Sequence, residues 1–266
     1  MQHADTHANI FWQREEGAAA RTVLDRAVAL NRRRVERDER GGLADLAAAL
    51  EFFAVLANQA GEIDRARSEI GEAVAFYERL VEESGQGFLS DLASGLHNAA
   101  MIAMTADALE DAIALQHRVA DMLDRLPQKD VNERKQVSDS LVNLGLYYAM
   151  AGRVEEGLAA LERVPGLIGD LAEGWLPARQ TLAGAAVARS RLLVIAGRHA
   201  EAAACAEAAL AEMAATGQGF WRGAGLVNRA MALAALGSGD APAAAWEALA
   251  HQRQGLDSGK VDDLHG

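Results

Sequence analysis

His3-Ala4-Asp5-Thr6-His7 places two imidazoles four residues apart with a carboxylate between them, the spacing of a surface metal site on a helix. No further ligand stands near, so a loose terminal tail is the expected reading. His97 has the chemistry of a base or a ligand, but no nucleophile or partner motif sits beside it. A satisfied polar residue is expected there. Cys205 lies in Ala202-Ala203-Ala204-Cys205-Ala206, where a buried inert thiol is expected over a reactive one. Asn31-Arg32-Arg33-Arg34-Val35-Glu36-Arg37 is a basic cluster, diluted by Glu36, Asp38 and Glu39; arginines there suit the C-terminal end of a helix. There is no Gly-Lys-Ser/Thr phosphate loop, no Gly-x-Gly-x-x-Gly after a strand and no Gly-x-Ser-x-Gly elbow. These residues add up to no catalytic constellation. The expectation is a protein that is not an enzyme, without cofactor or metal.

Composition narrows the setting. A formal charge of −12 disfavours nucleic acid as a partner, which would call for a basic face. One cysteine excludes an internal disulfide framework. Met1-Gln2-His3-Ala4-Asp5 has neither a basic nor an apolar leader region, and no 18-residue uncharged apolar run occurs. No membrane association and a cytoplasmic location are expected. Alanine supplies 58 of the 266 residues, against 4 prolines and 5% aromatics, which favours helix over sheet.

The elements that would position any site come from a repeat. Ala60-Gly61-Glu62-Ile63-Asp64-Arg65-Ala66 can be laid over Ala106-Asp107-Ala108-Leu109-Glu110-Asp111-Ala112, over Ala151-Gly152-Arg153-Val154-Glu155-Glu156-Gly157, and over Ala196-Gly197-Arg198-His199-Ala200-Glu201-Ala202. A degenerate fifth copy follows at Leu236-Gly237-Ser238-Gly239-Asp240. Each copy reads as a tight turn between two helices, with Gly suited to the left-handed residue that ends the first. Seven positions before the turn residue stand Ala54, Ala100, Gly145, Ser190 and Ala230. Five positions after it stand Ala66, Ala112, Gly157 and Ala202, with Pro242 breaking the column. Paired small columns predict antiparallel helical hairpins in close contact. The predicted pairs are 43–59 with 62–84, 88–104 with 107–125, 131–150 with 153–172, 177–196 with 199–216, and 219–236 with 240–255. A further helix is read over 9–40. Phe88, Trp175 and Phe220 are expected to plug the joints between pairs.

The third copy, Leu141-Val142-Asn143-Leu144-Gly145-Leu146-Tyr147-Tyr148-Ala149-Met150-Ala151-Gly152-Arg153-Val154-Glu155-Glu156-Gly157, resembles a tetratricopeptide repeat (TPR). Its steps near 45 residues are similar to the long-helix version found in kinesin light chains and many bacterial repeat proteins. The resemblance spans roughly 43–255. It implies an all-α fold, a right-handed α-solenoid of about five TPR-like helix pairs plus an N-terminal helix. The expected organisation is 1–42 as a helix packed on the array, 43–256 as the array and 257–266 as a flexible tail.

In such an array the first helices line a concave groove. In the register the resemblance implies, Phe52, Asn98, Asn143 and Asn228 fall in one groove column, with Ala188. Glu51, His97, Val142, Val187 and Val227 fall in a second, and Val55, Met101, Leu146, Arg191 and Met231 in a third. An Asn in the first column often holds the backbone of a bound peptide in this family, a role carried here to Asn98, Asn143 and Asn228. The alternative is that these amides bridge neighbouring helices. Arg189, Arg191, Arg222 and Arg229 are suited to attract a carboxylate or to form a solvated face. The expected function is a non-catalytic scaffold that captures a protein or peptide segment, with Phe52, His97, Asn98, Met101, Asn143, Leu146, Arg191, Asn228 and Met231 as its binding residues. A regulatory sensor that binds a small signalling peptide or ligand and changes curvature is the alternative. The last pair, from Ala241 to Ala250 with Trp246, lacks a polar cap and leaves room for a homo-oligomer.

Overall fold

The computed structural model describes residues 17–37, 41–126, 129–217 and 221–261. The His3–His7 pair and Phe220 lie outside them. Among the described residues the chain is all helix and short turns, divided into two compact units, Met1–Leu126 and Pro127–Gly266.

In the first unit α1 (Gly17–Glu36) packs on α2 (Gly42–Gln59), which forms a hairpin with α3 (Ile63–Ser84). A 3-10 turn, Gly85–Phe88, leads to the next hairpin, α4 (Leu89–Thr105) with α5 (Leu109–Asp124). The second unit holds α6 (Val131–Ala151) with α7 (Val154–Glu162) and α8 (Val164–Ile168), then α9 (Leu176–Ile195) with α10 (His199–Thr216), and α11 (Arg222–Ala235) with α12 (Ala241–Val261). Within each unit, every hairpin also packs its first helix on the first helix of the next.

One backbone device makes all five hairpins. Gly61, Gly152, Gly197 and Gly237 take positive φ, and in the second repeat Asp107 does so at φ 56. The residue after each donates its N–H to a carbonyl five positions back, as in Glu62 to Ala57 at 2.9 Å, Ala108 to Ala103 at 2.9 Å and Arg153 to Tyr148 at 2.8 Å. Orphan carbonyls at each helix end are thereby satisfied, and the chain reverses.

The small columns meet where the hairpins close. Ala54, Ala66, Ala100, Ala112 and Ala202 are fully buried, and Ser190 Oγ donates to the Ala202 carbonyl at 3.1 Å. A Cβ on Gly145 would stand 2.8 Å from Leu161, and one on Gly157 would stand 2.8 Å from Leu192. The fifth copy corrects the expected column. α12 begins four residues after Gly237, whereas earlier second helices begin two residues after their turn residue. That longer turn moves the small position from Pro242 to Ala244, which is 3% exposed. Its N–H bonds the Asp240 carbonyl at 3.0 Å, as Ala66 bonds Glu62. A second correction concerns 153–172. Pro165 lacks an N–H and crowds the preceding turn, so the predicted helix breaks into α7, α8 and a 3-10 turn, Gly169–Leu171. At the last joint, Trp221 packs against the cluster of Ala183, Val187, Ala209 and Met213.

Candidate functional site

The first-helix faces of the two units differ in chemistry. On α2 and α4 the centre is a carboxylate. Glu51 accepts from Ser94 Oγ and Asn98 Nδ2, each at 2.7 Å, and from the Tyr77 hydroxyl at 2.9 Å. Burial, and then the Glu51 charge, push the Tyr77 phenol well above the ordinary tyrosine range. Burial also raises the nearby Asp91 carboxyl. The Asn98 amide, expected to face a partner backbone, is thus engaged within the chain. His97 Nδ1 lies 3.3 Å from Gln116 Nε2, a buried amide whose oxygen has no partner. Met101 is 49% exposed on the same helix. Phe52 is half-buried and packs against the core cluster that holds Leu24, Phe53 and Ile102.

The second unit carries a cavity of about 500 Å³. Three successive first helices wall it: α6 through Leu146, Tyr147, Ala149 and Met150, α9 through Val187 and Arg191, and α11 through Gly223, Ala224, Val227 and Asn228. Gln252 of α12 closes one side. The lining is mostly apolar, and the volume lies within the range of sites that bury a small ligand or one bulky side chain. Gly223 and Ala224 leave the space open; a Cβ on Gly223 would meet the His251 ring at 3.3 Å.

Two polar groups set the cavity's character. Asn228 is 3% exposed and donates to the Val187 carbonyl at 3.0 Å, bridging α11 to α9. This is the helix-bridging alternative for its amide, with the carboxamide oxygen left to accept. Arg191 Nη1 rests 3.1 Å from the Met231 sulfur, a weak acceptor that leaves a guanidinium's donors largely unspent. By contrast, Arg222 and Arg229 both reach Glu247, at 3.4 and 2.5 Å, and tie α11 to α12. Arg189 is exposed.

Of the nine residues expected to bind, the structure brings Leu146, Arg191 and Asn228 into one cavity, with Met231 against Arg191. Asn143 lies half-buried on the same α6. Phe52, His97, Asn98 and Met101 stand in the other unit. Tyr147, Ala149, Met150, Gly223, Ala224 and Gln252 were not foreseen. The small pair at 223–224, one turn before Val227 and Asn228, was the available signal for space. Gln252 carried none, because a second helix was not expected at the groove.

Among the described residues, no three His, Cys, Asp or Glu side chains are grouped to hold a metal ion, and no helix is long and apolar enough to cross a membrane. Burial raises the Cys205 thiol above its ordinary value, which disfavours the reactive thiolate.

Serial hairpins closed on small columns, each packing its first helix on the next within a unit, define a TPR-like repeat fold. The chain is similar in structure to BtubC (BKLC) from P. vanneervenii, with TM-score 0.65 and 16% identity over 87% of this chain and 91% of that one. It is also similar to a putative kinesin light chain from Podosopora anserina with nearly identical TPR-like repeats, with TM-score 0.61 and 16% identity over 82% of this chain and 97% of that one. A second crystal structure of that kinesin light chain, of a substituted form, matches with TM-score 0.59 and 18% identity over 79% and 96% of the two chains. In sequence, no protein-family model and no curated protein matches the chain.

Proposed function

We propose that the chain is a non-catalytic interaction scaffold, and that the cavity walled by α6, α9 and α11 is where a partner segment anchors. The observation that carries this reading is an apolar cavity of about 500 Å³ edged by a guanidinium whose hydrogen-bond partner among the described residues is a thioether. A segment that inserts an apolar side chain and presents a carboxylate to Arg191 suits both features. The TPR-like fold supports the interaction role at the level of class alone.

Fluorescence polarisation on the full chain tests the proposal. The probe is an array of labelled peptides pairing one bulky apolar residue with either Asp or Lys two positions away. The Asp series should bind and the Lys series should not. Arg191→Glu should weaken the Asp series at least about tenfold, the scale of one charge-assisted hydrogen bond, without lowering the melting temperature. Ala224→Trp should fill the cavity and abolish binding. Equal binding of both series, or full affinity in both variants, would sink the assignment.

A further inference from the structure

In the first four repeats the second helix turns small or polar residues outward. Counted from the helix start, its sixth residue is Ser68, Ala114, Ala159 or Ala204, and its ninth is a glycine, histidine or glutamate; all are exposed. α12 departs from this rule. Its sixth and ninth residues are Trp246 and Leu249, which are 69% and 50% exposed. Pro242 stands one turn before Trp246 and Arg253 one turn after Leu249, so the four form a stripe with the 4-3-4 spacing of a helix-pairing seam. The opposite side of α12, at Ala244 and Ala248, is buried, and α12 packs on α11. Exposed tryptophan beside exposed leucine is the composition of a contact centre, not of a solvated face.

The geometry points to a second copy of this chain as the occupant, with two α12 helices paired antiparallel about a two-fold axis midway between Trp246 and Leu249. The stripe is its own complement under that operation. Trp246 of each copy falls on Leu249 of the other. Exposed Ala245 and Ala250 flank the seam on either side and let the helix axes approach. Arg253 of each copy comes beside the start of the other's helix, where Asp240 stands. No ion pair holds either Arg253 or Asp240 among the described residues. A patch of this size falls well short of the ~1,600 Å² of a standard stable interface, so the pairing is weak and concentration-dependent.

Sedimentation velocity on the full chain across a dilution series should show a mass rising from one chain towards two. Trp246→Gln/Leu249→Gln should remain a monomer at every concentration with unchanged circular dichroism. Geometry is read by oxidation in a Cys205→Ser background. Pro242→Cys/Arg253→Cys, which the two-fold brings face to face on the seam, should cross-link to a dimer, and Arg253→Cys alone should not. A wild-type chain that stays monomeric throughout would overturn the proposal, whatever else then covers the stripe. So would a double-Gln variant that still pairs, or efficient cross-linking through Arg253→Cys alone, which marks a parallel arrangement. These outcomes do not depend on the cavity between α6, α9 and α11.

Discussion

Tyr77 ties a buried phenol to the Glu51 carboxylate, and its titration reports on that contact. The folded chain holds its pKa above the ordinary value of 10.0, through burial first and Glu51 second. With the folded value raised, the associated stability is whole below pH 10 and is lost as pH climbs through the folded value. Urea melts of Tyr77→Phe should therefore fall less steeply than wild type above about pH 10, while at neutral pH the variant is less stable by about 1–2 kcal/mol, because Glu51 loses a donor. Asp107→Gly should act in the opposite direction at neutral pH. Asp107 alone among the described non-glycine residues has positive φ. Relief of ~1–2 kcal/mol of left-handed strain exceeds glycine's ~0.5–1 kcal/mol entropic penalty, so a rise of about 0.5–1 kcal/mol is expected in thermal melts. The asparagines show what a sequence can and cannot reveal at this scale. Their recurrence in one column was legible, but the partners of Asn98 and Asn228, Glu51 and the Val187 carbonyl, lie 47 and 41 residues away in the chain. Only folding brings those groups together.

At the scale of elements, the hairpins were legible because two signals coincide, a turn residue and a small column on each flank. Every predicted pair forms, and most ends fall within a few residues; α7 stops at Glu162, well short of 172, and α12 runs past 255 to Val261. Two features escaped. Pro165 was in plain view, yet the repeat pattern overrode the local rule that proline interrupts a helix. The two additional residues in the last turn shift the small position by two, which no alignment anchored on Gly237 could detect. The same logic orders glycine substitutions. Gly157→Ala would drive a methyl to within 2.8 Å of Leu192, itself fully buried, and 3.2 Å of Tyr148 Cβ. A loss of about 1–3 kcal/mol is expected. Gly166→Ala meets nothing within 4 Å and sits in α8, so a gain of about 0.5–1 kcal/mol is expected from the same denaturant titration.

For the whole molecule, charge competes with contact. Each chain carries −12, so two copies repel over a long range while the α12 stripe attracts over a short one. Raising salt from about 50 to 500 mM shortens the screening length from ~14 to ~4 Å, which removes the long-range term and spares the Trp246–Leu249 contact. The dimer fraction in sedimentation should rise with salt, despite the loss of the Asp240–Arg253 attraction. The antiparallel geometry also limits its own growth, since an isologous contact is consumed when two copies meet.

The five matching turns have a kinetic consequence. Each is closed by a hydrogen bond between residues five apart, and each joins helices that are neighbours in the chain. Little loop entropy must be surrendered before a hairpin gains its packing, so the search is short and can begin at any of several places. Folding within milliseconds is the expected order of magnitude for contacts this local. Gly61, Asp107, Gly152, Gly197 and Gly237 are then five sites at which the chain can begin to order itself.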